Sequence, residues 1–155
     1  MMCGAPASGK SSWATKFIFS NQEDIRYISR DDIRFSLLKD GEDYFSHEKE
    51  VFKKFAGAIA QTLIDGFDVI ADATHLNWKS RQKLWRALHT IGVDFHTICV
   101  CMDTPLEVCL ERNQSRAGRA RVPNYEIENM YDCLSWPTIN EDKSIREIWR
   151  IREDE

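Results

Sequence analysis

Apolar positions along this chain follow two patterns, and each pattern predicts one type of secondary structure. Apolar residues recur at steps of three and four over 10–20, 47–64 and 77–89, which predicts amphipathic helices. Short apolar runs bounded by polar residues predict buried strands. These runs span 25–28, 67–73, 95–102 and 145–151. Two shorter helices are predicted over 31–38 and 124–134.

Local sequence signals predict where some of these elements begin and end. The motif T-P-L-E at 104–107 matches a capping box with proline at the first helical position, so a helix is expected over 104–113. Gly66 follows the helix over 47–64 and is expected to terminate it. The polar segment 39–43 is expected to be a connector.

Strands alternate with helices along the whole chain, and this order predicts an α/β fold with a parallel sheet flanked by helices on both faces. A length of 155 residues predicts a single domain over 1–155. No stretch of 18 apolar residues and no signal-peptide pattern occurs, so we expect neither a membrane span nor secretion. Open parallel sheets bind ligands at the carboxyl ends of their strands, so functional residues are expected directly after each strand.

Charge is unevenly distributed along the chain. The sequence holds 25 acidic and 21 basic residues, a net charge of −4, which disfavours a protein that is basic throughout in order to bind nucleic acid. Residues 76–121 nevertheless hold eight basic and four acidic side chains, enough for a local positive field around a phosphate-bearing ligand. The five cysteines form no C-x-x-C pair, which favours reduced thiols and a cytoplasmic location.

The first candidate for chemistry lies near the start of the chain. The segment GAPASGKS at 4–11 fits the phosphate-binding pattern G-x-x-x-x-G-K-[ST]. Its two glycines permit a backbone that turns N–H groups toward an anion. Lys10 is expected to reach the β- and γ-phosphates of ATP, and Ser11 is expected to bind Mg²⁺. The alternative is an accidental turn, which the well-patterned helix that follows disfavours. The expected nucleotide-binding residues are Gly4, Ala5, Pro6, Ala7, Ser8, Gly9, Lys10, Ser11 and Ser12.

A cluster of charged residues follows the strand at 25–28. It consists of Arg30, Asp31, Asp32 and Arg34, which stand where a phosphoryl acceptor would enter. A carboxylate there can take the proton from an attacking hydroxyl, and an arginine one helical turn away can bind an anionic group on the acceptor. The alternative is an aspartate that caps a helix within a solvated group of charges.

Asp72 lies near the end of the apolar strand at 67–73 and is a candidate for the metal site. A carboxylate at such a strand end positions the water shell of the metal in P-loop enzymes. The alternative is a buried aspartate that caps a loop. His75 follows closely, but no second histidine or cysteine has a suitable spacing, so a zinc site is not expected.

Four arginines lie within ten residues around a glycine. They are Arg112, Arg116, Arg119 and Arg121. Their position after the helix over 104–113 favours a lid, at about 112–123, that closes over the phosphates and neutralises charge on the transferred group. The alternative is a solvated basic loop, which is the commoner meaning of such a segment.

Taken in order, these motifs resemble the kinase domain of the 5′-hydroxyl polynucleotide kinase family of phages and of RNA and DNA repair. The matching stretches are GAPASGKSSWA, ISRDDIR, DATHLN, LERNQSRAGRARVP and IENMY, and the resemblance covers nearly the whole chain. It implies a P-loop kinase fold and transfer of the γ-phosphate of ATP to the 5′-OH end of DNA or RNA, with Mg²⁺. No phosphatase or ligase module is expected within the 155 residues.

The resemblance also implies roles for individual residues. Asp31 matches the general base, and Arg34 matches the residue that binds the 3′-phosphate of the acceptor. Arg116 matches the lid arginine that acts on the transferred phosphate, and Arg112 matches a supporting one. The other matches are Lys10 and Ser11 for phosphates and metal, Asp72 for a contact to the metal through water, and Thr74 and Val122 for the acceptor nucleotide.

Three features depart from the family pattern. Ala73 separates Asp72 from Thr74, whereas the phage enzymes place the aspartate directly before the threonine. One extra residue lengthens the lid, so its last two arginines have no assigned role. Only three residues precede the first glycine, fewer than the roughly 5–6 of a usual strand. Residues 1–3 are still expected in the middle of the sheet.

Two other functions remain open. A kinase of the same fold could act on an aminoacyl-tRNA or on a small molecule, and the chain could also be a non-catalytic NTP-binding module. The presence of Asp31 with Arg34 speaks against the module, because a switch protein needs no acceptor base.

Overall fold

The computed structural model describes residues 1–21 and 24–152. Over these ranges five parallel strands alternate with α-helices, as the hydrophobic pattern predicts. The strands are β1 (Met2–Cys3), β2 (Ile25–Ser29), β3 (Asp68–Asp72), β4 (Thr97–Asp103) and β5 (Ile145–Arg152). The α-helices are α1 (Lys10–Asn21), α2 (Arg30–Leu37), α3 (Glu48–Ile64), α4 (Trp78–Ile91), α5 (Leu106–Gln114) and α6 (Asn124–Asp132). A short 3₁₀ helix, Gly118–Ala120, lies between α5 and α6.

β1 lies in the middle of the sheet although it has only two residues. It pairs in parallel with β4, with Met2 opposite Val100, and β4 pairs with β5. On its other side the Gly4 amide donates to Thr74 O at 2.9 Å, which ties β1 to the end of β3, the partner of β2. The paired ladders are therefore β2-β3 and β1-β4-β5, and the contact between Gly4 and Thr74 sets β1 beside β3, so the strands lie in the order β2-β3-β1-β4-β5. Met2 and Cys3 are 1% and 0% exposed, which confirms that the first residues belong to the sheet.

Helices cover both faces of the sheet because alternate residues of a strand point to opposite sides. In β4, Cys99 and Cys101 pack with Trp85 of α4. The alternate residues Val100 and Met102 pack instead against α1. Helix α3 lies beside α4 on the first face, so the predicted α/β architecture is confirmed. Among the described helices, none combines the length and apolar character that crossing a bilayer requires.

The predicted element boundaries lie within two residues of those observed. The capping box predicted at 104–107 is wrong, however, because α5 begins at Leu106 and has no side-chain capping bond. The Thr104 hydroxyl instead donates to Ser8 O at 2.9 Å, so it tethers the loop after β1 to the end of β4. Gly66 follows α3 with a φ of 88°, a conformation that glycine adopts without strain, so the predicted helix terminator is confirmed.

A groove of about 320 Å³ opens on the amino-terminal side of β1. β3 has five residues and β4 has seven, whereas β1 has only two. β1 therefore separates these two strands along only part of their length. Apolar side chains line much of the groove, among them Val69, Ile98 and Trp149. The Met1 ammonium donates to Ile98 O at 2.9 Å, and burial lowers the pKa of this amino group. The amino end of the chain thus lies between two strands of the sheet.

A buried ion pair fixes the segment that leads to β5. Arg81 of α4 is 0% exposed, and its Nε and Nη2 donate to the two carboxylate oxygens of Glu141 at 2.8 Å. Its Nη1 donates to Ser135 O at 2.7 Å and to His75 O at 3.0 Å. Burial opposes the charge, but the bonds to Glu141, the negative charge of Glu141 and smaller electrostatic contributions together outweigh it and raise the pKa of Arg81. One guanidinium therefore joins α4, the loop after β3 and the segment after α6.

Candidate active site

A cleft of about 1240 Å³ lies at the carboxyl ends of the strands. The loop after β1, the start of α2, the end of β3 and the segment between α5 and α6 form its walls. The predicted residues that line it are Pro6, Ala7, Lys10, Ser11, Asp31, Arg34, Asp72, Thr74, Arg116 and Val122. The structure thus brings the four sequence motifs together where parallel sheets bind ligands.

The other predicted residues lie behind or beside these walls. Gly4, Ala5 and Ser8 are buried in the loop after β1, and Ser12 is exposed on α1. Arg112 lies beside the same loop, since a Cβ added to Gly9 would come within 3.6 Å of the Arg112 Nη1. Arg112 is therefore close to the phosphate-binding motif although it does not line the cleft.

The backbone of the loop after β1 is suited to bind an anion. Gly4, Ala7 and Gly9 have φ angles of 153°, 61° and 94°, and turns of this kind direct successive N–H groups to one side. A Cβ added to Gly4 would lie 2.8 Å from Ser8 Oγ and 3.2 Å from Met102 O, so the position has no room for a larger residue. Helix α1 begins directly after the loop and adds the positive end of its dipole.

Lys10 lies under this loop, at the first position of α1. Its Nζ donates to Gly4 O at 3.1 Å and to Ala5 O at 2.8 Å, which holds the ammonium against the loop. Burial lowers the pKa of Lys10, while the nearby carboxylates of Asp72 and Asp31 act in the opposite direction. The lysine therefore lies in the field of both acidic residues that the sequence singles out.

Three side chains meet at the end of β3. Ser11 Oγ donates to Asp72 Oδ2 at 2.8 Å, and the Tyr27 hydroxyl donates to the same oxygen. Asp72 is 6% exposed, so its carboxylate is held between these partners at the floor of the cleft. Hydroxyl and carboxylate oxygens are the ligands that Mg²⁺ prefers, so Ser11 and Asp72 fit a magnesium ion that arrives with a nucleotide.

The acceptor carboxylate lies on the opposite wall, in the first turn of α2. Asp31 Oδ1 accepts hydrogen bonds from the Tyr44 hydroxyl at 2.6 Å and from Arg34 Nη1, and its side chain is 57% exposed. The alternative role of Asp31 or Asp32 as helix cap is wrong, because Ser29 is the cap. Its Oγ accepts from the Asp32 amide at 3.2 Å.

Arg34 is buried within a network of polar side chains. Its Nε donates to Glu48 Oε1 at 2.7 Å, its Nη1 donates to the Tyr44 hydroxyl at 2.7 Å, and its guanidinium lies 4.3 Å from the centre of the Tyr44 ring. Burial opposes the charge, but the bond to Glu48 together with the electrostatic attraction of Tyr44, Glu48 and Asp31 outweighs it and raises the pKa of Arg34. Arg34 therefore connects Asp31 of α2 to Glu48 of α3.

The arginine-rich segment borders the cleft between α5 and α6. Arg116 Nη1 donates to Ala120 O at 3.3 Å, across the 3₁₀ helix. Arg119 reaches the other wall, where its Nη2 donates to Asp40 Oδ1 at 3.2 Å. The side chain of Asn113 bonds both the amide and the carbonyl of Val122, at 3.0 and 2.6 Å, which fixes the end of the segment. Movement of this segment as a lid stays a prediction.

Sequence reasoning missed three residues of the site: Tyr27, Tyr44 and Glu48. Tyr27 precedes Ser29 by two positions on β2, so the period of a strand could have placed it on the same side as the cap of α2. Tyr44 lies just after the predicted connector, and Glu48 begins a helix among other charged residues. No sequence pattern distinguishes these two from solvent-exposed neighbours.

Comparison with solved structures finds the same fold in several kinases. A protein of the Pnkp1/Rnl/Hen1 RNA repair complex is 26% identical with a TM-score of 0.70, and the match covers 86% of this chain and 42% of that chain. This chain therefore spans about two fifths of the repair protein. A putative kinase from Chloroflexus aurantiacus is 17% identical with a TM-score of 0.75, over 97% of this chain and 82% of that one.

The APS kinase CysC of Mycobacterium tuberculosis is 21% identical with a TM-score of 0.64, over 99% of this chain and 87% of that one. At 17% and 21% identity these two likenesses concern the fold alone. The family model AAA_33, described as an AAA domain, matches residues 1–137. The chain therefore belongs to the AAA_33 family, and its parallel sheet with helices on both faces is the fold of P-loop kinases.

Proposed function

We propose that this protein is an ATP-dependent kinase that transfers the γ-phosphate to the 5′-hydroxyl end of DNA or RNA. The observation that carries the proposal is the position of Asp31, an exposed carboxylate in the same cleft as Lys10 and Ser11 of the phosphate-binding loop. A protein that only binds a nucleotide needs no base opposite its phosphate site, whereas a kinase does.

Binding of the triphosphate is assigned to the loop after β1 and to Lys10. Burial lowers the pKa of Lys10, and a bound phosphate would favour its charged form. Ser11 and Asp72 would hold Mg²⁺, with Asp72 acting through water. When bound with the nucleotide, the ion supplies positive charge against the β- and γ-phosphates.

Proton removal is assigned to Asp31. The acceptor oxygen attacks the γ-phosphorus, the bond from that phosphorus to the β,γ-bridging oxygen breaks, and the hydroxyl proton passes to the carboxylate. Tyr44 and Arg34 both donate to Oδ1, so they orient the carboxylate and leave Oδ2 for the acceptor hydroxyl. Arg116 on the cleft wall and Arg112 beside the loop would neutralise charge that develops on the transferred group.

Recognition of the acceptor is assigned to Arg34, Thr74 and Val122, which all line the cleft. Glu48 engages Nε of Arg34, and Asp31 and Tyr44 engage Nη1, so Nη2 is the donor that we assign to a 3′-phosphate. The net charge of −4 favours contact with only the terminal nucleotides, because each further phosphate would need a basic partner.

Similarity to the chain from the RNA repair complex supports a nucleic-acid acceptor. Because this chain covers 42% of that one, the substrates and partners of the complex are part of the proposal here. Four of the five cysteines are buried thiols, which fits the reducing compartment, such as the cytoplasm, that we propose from the sequence.

The test is transfer of labelled phosphate from ATP to a panel of acceptors: 5′-OH DNA, 5′-OH RNA, a tRNA and several sugars. We expect label on the 5′-OH oligonucleotides and none on the same oligonucleotides already phosphorylated at the 5′ end. Label on the tRNA alone, or on a sugar alone, would replace the 5′-OH end as the proposed acceptor by that other class of molecule. ATP binding without transfer to any acceptor would instead favour a nucleotide-binding module.

A further inference from the structure

The strand β2 supplies a hydroxyl to the floor of the cleft. Tyr27 pairs in register with Ile70 of β3, and Ser29 pairs with Asp72, so Tyr27 reaches forward along the sheet to touch the carboxylate. Its hydroxyl donates to Asp72 Oδ2, and its side chain lines the cleft. The proposed mechanism gives this tyrosine no role, although it contacts a residue of the magnesium site.

The chemistry of Tyr27, Ser11 and Asp72 decides which of these groups donates a hydrogen and which accepts it. A phenol has an ordinary pKa of about 10, so at neutral pH the Tyr27 hydroxyl keeps its proton and donates it to Asp72 Oδ2. Ser11 also donates to Oδ2, and a serine has only one hydroxyl hydrogen. With that hydrogen committed to Asp72, the lone pairs of Ser11 Oγ point away from the carboxylate.

We propose that Tyr27 is a positioning residue of the magnesium site. Its hydroxyl holds the Asp72 carboxylate in place, and that carboxylate in turn orients the Ser11 hydroxyl with its lone pairs toward the metal. Without the phenol, Asp72 Oδ2 loses one of its two donors and the carboxylate can rotate away from Ser11. The inference rests on the nucleotide and magnesium part of the proposed function and is independent of the acceptor.

The substitution Tyr27→Phe removes the hydroxyl and keeps the ring. The matched control is Tyr44→Phe, which removes the other tyrosine hydroxyl that donates to a cleft carboxylate, in that case Asp31. Only the first change touches the pair of Ser11 and Asp72. The two variants therefore separate loss of this bond from loss of any polar contact in the cleft.

The measurement is ADP binding by isothermal titration calorimetry, once with Mg²⁺ and once with EDTA. Side chains that hold a metal ligand in place typically contribute about 10–100-fold to metal affinity, so we expect Tyr27→Phe to lose about tenfold or more of the gain in affinity that Mg²⁺ gives the wild type. Affinity in EDTA should stay within about twofold, because the loop after β1 is unchanged. Tyr44→Phe should keep the full gain from Mg²⁺.

Two results with the variants would overturn the inference. One is an undiminished gain from Mg²⁺ in Tyr27→Phe, and the other is an equal loss of affinity with and without the metal, which would make Tyr27 a general support of the pocket. Thermal unfolding of each variant confirms that the protein tested is folded. A wild type that binds no ADP overturns this inference and the nucleotide part of the proposed function, whereas a negative acceptor panel overturns only the acceptor.

Discussion

Replacing Asp31 by asparagine tests the proposed base and keeps the shape of the side chain. The amide oxygen can still accept the hydrogen bond that Tyr44 gives at 2.6 Å. Asp31 is 57% exposed and Arg34 keeps its bond to Glu48 at 2.7 Å, so the lost ion pair should cost about 1 kcal/mol or less after solvent screening. A loss of that size lowers the melting temperature by about 2–4 °C.

The effect on phosphoryl transfer should be far larger. A positioned general base contributes about 10²–10⁴ in rate, which corresponds to about 2.7–5.4 kcal/mol of transition-state stabilisation. Affinity for ADP should stay within about twofold, because Asp31 lies on the acceptor wall and the nucleotide phosphates are assigned to the loop after β1. The predicted signature is thus a loss of rate without a loss of nucleotide binding or of folding.

The assay is single-turnover phosphorylation of the best acceptor of the panel, combined with ADP calorimetry and a melting curve. The control is Asp32→Asn, because Asp32 lies in the same helical turn, is exposed, and is held through its amide by Ser29. Its rate should remain within about twofold of the wild type. A rate for Asp31→Asn within about fivefold of the wild type, or an equal loss in both variants, would refute the assignment of the base.

Three further predictions concern the loop, a buried ion pair and pH. Gly4→Ala should weaken ADP binding at least about tenfold by calorimetry, since its Cβ would lie 2.8 Å from Ser8 Oγ; unchanged affinity would contradict the loop geometry. Arg81→Met should lower the free energy of unfolding in urea by about 3–5 kcal/mol, because it leaves the carboxylate of Glu141, whose side chain is 9% exposed, without its cationic partner. The double variant with Glu141→Leu should recover part of the loss, and no recovery would contradict this cause. Burial lowers the pKa of His75 to about 3 in the folded protein, whereas a histidine of the unfolded chain keeps its usual pKa of about 6.5. Between pH 6.5 and 5 the unfolded state therefore takes up a proton that the folded state does not, so the free energy of unfolding should fall as the pH falls over this range. The contribution of His75 to the change in unfolding free energy approaches ~1.4 kcal/mol per pH unit, so His75→Asn should show a correspondingly shallower pH dependence in urea titrations. A variant with the same pH dependence as the wild type would exclude His75 as the source.

Local patterns were sufficient for most of the fold and for the position of the cleft. The periodic apolar residues of α1, α3 and α4 face the sheet as expected, because helix amphipathicity reflects burial directly. The motifs after β1, β2 and β3 meet because the carboxyl ends of parallel strands share one edge. β1 itself has too few residues for a pattern, and only the phosphate-binding motif and the family resemblance indicated its place in the sheet.

Contacts between elements distant in sequence could not be predicted in this way. Thr104 has the sequence position of a cap, but Ser8, 96 residues away, accepts its hydrogen bond. Tyr27 reaches Asp72 and Tyr44 reaches Asp31 only once the sheet and the connector are folded. The length and direction of a side chain decide these contacts, and neither follows from the spacing of residue types along the chain.

The groove beside β1 affects where the protein can be extended by design. A purification tag or a reporter domain placed before Met1 would have to run between β3 and β4, past the carbonyl of Ile98 that now accepts from the terminal ammonium. A label attached to β5 would instead lie on an edge strand, which pairs with β4 alone among the described strands. A label on β5 therefore disturbs the sheet less than one placed before Met1, so β5 is the strand from which to tether this protein to a surface.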